Sequence, residues 1–408
     1  MTWSSASYSE VGAFDLTLQD TDFTSVDAAD TAASCAGRYV CGTAAVGRFV
    51  PDHFDLSNSA IVNRSDINAG AGCSPASTFT YMGEAMKASF TLTAKNAGGN
   101  PTQNYAGSFA KFTNSIANWI ADTGNDRVGL WAIATDYTYG GSTCKVLFDR
   151  VTPSVNSFVA CSGAVPTLLI GRTAGPRVTV SSPSLSAWAN GAATFTADAT
   201  LERGDAPDGS YATLNIGATP QDADGVALSA YDLDADNSGT PERASLGTTE
   251  VRFGRLKLSN AHGSELLNLP VPIQAQYWNG TAFVPNEADN CTVLASTNIA
   301  LGNYQRKAGD TWTTSPTLVN TVAIQGGWQV SLSKPSPTPS GKGSVDLCVD
   351  LGADPVGGTL CLATASANLP YLQGLWSPGT SYNNDPKVRA TFGVFKGNGE
   401  FIYLREMY

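Results

Sequence analysis

VRFGRLKLSNAHGSELLNLPVPIQAQYWNGTAFVPNEADNCT, residues 251–292, is the stretch that decides the fold class. Val251, Phe253, Leu256 and Leu258 alternate with polar residues, with a phase slip at Gly254-Arg255. Val271, Ile273, Ala275 and Tyr277 then repeat every second residue. Period two places one row on each face of a strand, so both segments read as half-buried β-strands. The slip at Gly254 reads as a β-bulge, since glycine takes backbone conformations that other residues avoid. Asn279-Gly280 follows, and Ala282, Phe283 and Val284 resume the apolar run. Both turn residues tolerate positive φ, which predicts a hairpin.

The same alternation extends in both directions. Met86, Ala88, Phe90, Leu92 and Ala94 interleave with Lys87, Ser89, Thr91 and Thr93, and a turn cluster follows at 96–101. Strand-like runs recur at 128–135, 145–148, 192–201, 211–218, 297–309, 321–333 and 345–351. Residues 390–395 and 401–404 flank Gly397-Asn398-Gly399, a second expected hairpin. Helical spacing is carried by Phe109, Phe112, Ile116, Trp119 and Ile120, which predicts a helix within 107–122. KPSPTPSGKG at 334–343 reads as a linker or a long exposed loop. Short strands, frequent turns and little helix define an all-β chain, mainly antiparallel. The expected architecture is tandem immunoglobulin-like β-sandwich modules with few short helices, stapled by disulfides. The expected boundaries are an N-terminal segment at 1–45, the tail of an upstream module, then modules at 46–175, 176–250 and 251–408. Gly47-Arg48-Phe49 and Gly254-Arg255-Leu256 each open an alternating strand, an echo that duplication or chance would both produce.

Composition bounds the function. The chain has 408 residues, 42% hydrophobic and only 14% charged, a balance that supports packed cores rather than disorder. A net charge of −11 opposes binding to nucleic acid or anionic head groups, both of which need clustered Lys and Arg. No apolar run reaches bilayer-spanning length. Met1-Thr2-Trp3 opens with neither a basic segment nor an apolar h-region, so the chain reads as a mature segment whose export signal lies upstream. Eight cysteines without a Cys-x-x-Cys pair, and only two histidines, suit disulfides better than a zinc site. Proximity pairs Cys35 with Cys41, Cys144 with Cys161 and Cys348 with Cys361, and elimination leaves Cys73 with Cys291. The competing account is buried free thiols, which pack as small hydrophobes.

Few residues point to chemistry. In YDLDADNSGT, residues 231–240, Asp232, Asp234 and Asp236 alternate like the acids of a calcium loop, which must supply roughly six to eight oxygens. Asn237 and Arg243 stand where an EF-hand needs glycine and a bidentate glutamate, so a solvated acidic turn is the competing reading. QDADG at 221–225 adds Asp222 and Asp224. His262, Ser264 and Glu265 are hydrolase residue types, yet they crowd one loop and lack a nucleophile elbow. His53 reads as a strand-end hydrogen-bonding residue. Trp119, Trp188, Trp312 and Trp376 sit among Asn, Gly, Ser or Thr and are candidate sugar-stacking platforms, whereas Trp131, Trp278 and Trp328 read as core. Arg203-Gly204-Asp205 spells an integrin-type tripeptide, which reads as coincidence. No catalytic set emerges, no enzyme is expected, and calcium is the one cofactor in view.

GRFVPDHF (47–54), FTYMGEAM (79–86), NYAG (104–107), the opening stretch and ATFGVFKGNGEFIYLRE (390–406) together resemble the C-terminal region of MshQ-like proteins. These are encoded with the mannose-sensitive haemagglutinin (MSHA) type IV pili of Gram-negative bacteria. The resemblance implies a non-catalytic, extracellular structural or adhesive part of such a pilus or a related cell-surface system, exported through the periplasm. Its partners would be pilus or other surface proteins. The alternative is a carbohydrate-binding surface module, calcium-assisted, touching host or environmental glycans. The region has no assigned biochemistry, so the resemblance transfers no catalytic residue.

Overall fold

A computed structural model describes residues 7–68, 73, 75–139, 141–148, 150, 158–161, 172, 175–234, 238–337, 341–352, 361–377 and 381–393. The chain opens with a two-stranded ribbon, β1 (Gly12–Asp20) against β2 (Val40–Phe49). A first sandwich follows. One of its sheets runs in the order β3 (His53–Val62), β5 (Ala85–Lys95), β10 (Ala192–Leu201) and β9 (Val178–Leu185). The other runs β4 (Phe79–Tyr81), β12 (Ala244–Arg252), β11 (Gly209–Ala218), β6 (Leu130–Tyr139), β7 (Ser142–Phe148) and β8 (Phe158–Cys161).

In the second sandwich one sheet runs β13 (Gly254–Leu258), β15 (Leu269–Trp278), β19 (Gly327–Leu332) and β18 (Pro316–Leu318), with β16 (Phe283–Pro285) beside β15. The other runs β14 (Ala261–Gly263), β21 (Lys387–Phe392), β20 (Gly343–Val349) and β17 (Ile299–Arg306). Pairing is antiparallel except β4 with β12 and β14 with β21. The fold is therefore all-β, as the alternating rows require.

The rows face where period two puts them. Met86, Ala88, Phe90, Leu92 and Ala94 are all buried, and Phe90 stacks on Phe195 of β10 at 5.1 Å. Strands from 46–175 and from 176–250 alternate within the same two sheets, so these spans share one sandwich and one apolar core. Asn279-Gly280 forms the expected hairpin: Asn279 Oδ1 accepts from the amides of Thr281 and Ala282 at 3.0 and 2.9 Å, and Gly280 takes a φ of 98°. The hairpin expected at 397–399 lies outside the described residues. Residues 334–343 link β19 to β20, the two sheets of one sandwich, and the indole of Trp312 donates to the Lys342 carbonyl at 3.1 Å.

Other expectations change. The helix expected within 107–122 reduces to a 3₁₀ turn at Gly107–Phe109 and a short α-helix at Ile116–Ile120. Between them Thr113 donates its amide to Asp126 Oδ1 at 2.8 Å, which takes that N–H out of any helical ladder. The slip at Gly254 is not a bulge in one strand. β12 stops at Arg252, Phe253 points into the first core and Leu256 into the second. The chain changes sandwich there.

Among the described residues, disulfides join Cys35 to Cys41, Cys73 to Cys291 and Cys348 to Cys361, and no cysteine is free. Cys144 is also disulfide-bonded and lies opposite Cys161 in the β7–β8 register; the side chain of Cys161 falls outside the described residues. The free-thiol alternative is set aside.

The crossing generates a test. A Cβ on Gly254 would sit 2.6 and 2.8 Å from the Tyr81 ring and 2.9 Å from Leu372. Gly254→Ala is expected to cost about 1–3 kcal/mol by overpacking, read from urea unfolding. Gly302→Ala, with open space around it, should stay within about 0.5 kcal/mol of the parent.

Candidate functional site

The densest polar constellation lies where the sandwiches meet, and it is assembled from both. The turn after β3 supplies Arg64, β4 supplies Tyr81, and the turn into β5 supplies Glu84. The loop after β16 supplies Asn286, Asp289 and Thr292. Arg64, Tyr81, Asn286, Asp289 and Thr292 have no measurable exposure, and Glu84 has 2%. Arg64 Nε donates to both oxygens of Glu84 at 2.9 and 3.0 Å, Nη1 to Asp289 Oδ1 at 2.9 Å, and Nη2 to Thr292 Oγ1 at 2.7 Å. Tyr81 and Thr292 donate their hydroxyls to Asp289 Oδ2 at 2.9 and 2.6 Å, and Asn286 Nδ2 donates to the Tyr81 oxygen at 2.6 Å. The guanidinium also lies 5.3 and 5.1 Å from the ring centres of Phe79 and Tyr81.

Burial works against every charge here, and the partners decide which charges survive it. Glu84 and Asp289 outweigh the burial of Arg64 and hold its guanidinium above the ordinary value. Burial raises the Glu84 carboxyl, with Arg64 pulling against it. Burial also pushes Asp289 up, but Arg64 and the Thr292 hydrogen bonds carry its carboxyl below the usual range. The Tyr81 phenol is driven well above its usual value by burial and by Asp289, so it stays a donor. The acceptors of this set are already occupied: Arg64 separates the two carboxylates, Arg252 donates to Asn286 Oδ1, and each named group has a partner. Its chemistry is cohesion.

Further bonds span the same junction. Arg203 leaves the first sandwich and donates to the carbonyls of Gly254, Pro370 and Gln373 at 3.3, 3.2 and 3.0 Å, with its guanidinium 4.1 Å from the centre of the Phe253 ring. The arginine of the Arg-Gly-Asp tripeptide is thus committed inside the protein. Cys73–Cys291 adds a covalent link, closing a loop with a sequence separation of 218.

The sequence-derived candidates are scattered. Asp232 Oδ1 accepts the Ser245 amide at 2.7 Å. Asp234 accepts the amides of Ser238 and Gly239 at 3.2 and 3.1 Å and pairs with Lys145 at 3.5 Å. Asp236 lies outside the described residues. Asp222, nearby in sequence, is buried and accepts the Tyr105 hydroxyl at 2.7 Å. His262 Nε2 lies 3.2 Å from the Gly393 carbonyl, Ser264 accepts the Leu266 amide, and Glu265 faces Lys342, so the three do not converge. His53 contacts Asp52 at 2.8 Å at a strand start.

Trp119 and Trp312 are corrections to the sugar-platform reading: at 0% and 1% exposure they are core residues of the two sandwiches. Each indole buries a large apolar surface against core rings, Trp119 on Phe90 and Trp312 on Phe392. Trp188 is partly buried against Phe112 and Tyr105. Trp376 is half-buried beside Arg255, whose guanidinium lies 5.0 Å from its ring centre. Trp131, expected in the core, is instead half-buried between Arg150 and Arg243 at 3.6 and 3.8 Å.

Two sandwiches locked through buried charge define a tandem β-sandwich protein. Residues 10–137 match the family model described as DUF6701, third domain, and residues 252–407 that described as DUF6701, fourth domain. These spans together cover more than half of the chain, which carries two domains of DUF6701, an uncharacterised family. The fourth-domain match begins at Arg252, one residue before the crossing at Phe253. No curated protein matches the chain.

Sequence reasoning missed Arg64, Glu84 and Asp289. The available signal was their setting: Glu84 stands inside apolar FTYMGEAM, and Asp289 inside NEADNCT, two residues before a cysteine. In a chain with so few charges, such positions favour burial with a partner.

Arg64→Met strands two buried carboxylates and is expected to cost about 3–5 kcal/mol. The triple variant Arg64→Met/Glu84→Met/Asp289→Leu should cost less than Arg64→Met alone, since no charge is left unpaired. Both are read from urea unfolding. Acid supplies a second test. Asp289 has its folded pKa below its unfolded value, so its contribution is full above about pH 4 and is lost as pH falls through the folded pKa. Glu84 has the opposite sign: its contribution is present below the unfolded pKa and fades as pH rises through the folded one. The melting-point gap between the parent and Asp289→Asn should therefore be widest near neutrality and narrow below about pH 4.

Proposed function

We propose that this chain is a non-catalytic structural segment of an exported surface assembly, of the type IV pilus kind that the MshQ resemblance implies. Disulfides form in oxidising compartments, and three are seen, consistent with an extracellular or secreted protein. No helix among the described residues is long and apolar enough to cross a membrane. The observation that carries the reading is Cys73–Cys291. It joins the segment between β3 and β4 to the loop after β16, so tension entering before residue 73 leaves after residue 291 without passing through most of the first sandwich. A covalent shortcut around a folded body suits a part that bears load. What favours this reading over sugar binding is the burial of Trp119 and Trp312.

Pulling the chain by its ends tests the proposal. Under oxidising conditions the stretch between the two cysteines should stay short. Reductant should release about 750 Å of added contour length, at roughly 3.5 Å per residue over the separation of 218. Equal lengths in both conditions would contradict the load-bearing role. A glycan array on the same chain should be silent, and saturable binding to one glycan class would move the carbohydrate reading ahead.

A further inference from the structure

The N-terminal ribbon has a firm root and a bare blade. At the root Val11 is buried in the first core, Asn96 Nδ2 donates to the Ser9 carbonyl at 3.0 Å, and the Asn104 amide donates to Glu10 Oε2 at 3.1 Å. Arg48 pairs with Asp224 of the first sandwich. Tyr8, Phe14 and Phe49 pack together with ring centres 4.9–5.8 Å apart. Beyond them the two strands pair with each other alone among the described residues.

The register sorts the blade into two unlike faces. Phe14, Leu16 and Leu18 lie opposite Val46, Ala44 and Gly42, while Asp15, Thr17 and Gln19 lie opposite Ala45, Thr43 and Cys41. The first face is apolar along its length, yet Phe14, Leu16 and Leu18 are 38%, 43% and 61% exposed. Phe23 and Val26, in the connection at the tip, are 73% and 91% exposed. Eight of the eighteen exposed large apolar side chains among the described residues fall between Tyr8 and Val50, so the exposure is concentrated rather than scattered. A two-stranded ribbon is marginal in water without cover, and a contiguous apolar patch of this kind marks an interface.

We infer that this face is the docking surface for the DUF6701 domain that precedes the third in the same polypeptide. The match to the third domain starts at residue 10, at the ribbon's root. A model described as the third domain implies that members of the family carry domains ahead of it. Such a domain is tethered to the root, and tethering gives it a local concentration no free partner matches. The ribbon would thereby pass rigidity upstream, as the Arg64 network passes it downstream. This inference does not rest on the surface-assembly reading.

Hydrogen exchange on residues 12–20 and 40–49 tests it, comparing the 408-residue chain with the polypeptide extended upstream through the preceding domain. The extended form should exchange these amides about tenfold more slowly. Leu16→Glu/Leu18→Glu should remove that protection while leaving the melting point of the 408-residue chain unchanged, since both side chains are exposed in it. Equal exchange in the two forms would overturn the inference. So would light scattering that shows the shorter chain to be a dimer broken by Leu16→Glu/Leu18→Glu, because the occupant would then be a second copy.

Discussion

A guanidinium with no access to water must be surrounded by acceptors, and Arg64 finds them only where the two sandwiches meet. Glu84 comes from its own sandwich and Asp289 from the other, so neither half satisfies the arginine alone. Taking three charges out of water is expensive, and their mutual attraction offsets that cost only when the geometry is met in full. The network is therefore a weak source of stability and a strict condition on placement. Sliding or rotating one sandwich against the other would leave a buried carboxylate or the guanidinium without a partner.

The rest of the junction follows from that condition. Gly254 has no side chain because the Tyr81 ring, held by Asp289 and Asn286, occupies the space a Cβ would need. Arg203 adds three bonds to carbonyls of the second sandwich. Cys73–Cys291 fixes the same loop that carries Asp289 and Thr292, and on the chain-entropy account a loop of that length contributes about 5 kcal/mol. Covalent and ionic bonds thus bear on one seam, which the chain itself crosses at the buried Phe253.

The sheets were legible in the sequence because period-two burial is a local signal. The rows at 86–94 and 271–277 point as their spacing requires, and Asn279-Gly280 turns where its backbone tolerance allows. The assignment of strands to sandwiches was not legible. β10, β11 and β12 pair with β5, β6 and β4 across separations of 80 to 171 residues, and alternation says nothing about the neighbour. The helix within 107–122 was overread because Phe112 and Trp119 share a core without sharing a helix. Most of the junction was hidden for a similar reason, since Arg64 and Asp289 are 225 residues apart. FTYMGEAM and the end of the 251–292 stretch, read first as family-like, turn out to hold Tyr81, Glu84, Asp289 and Thr292.

If the seam dictates the placement of the two sandwiches, neither should unfold without the other. Scanning calorimetry of the oxidised chain decides this most directly. The account predicts one transition, with calorimetric and van't Hoff enthalpies in agreement. Two separable transitions, one for each sandwich, would contradict it.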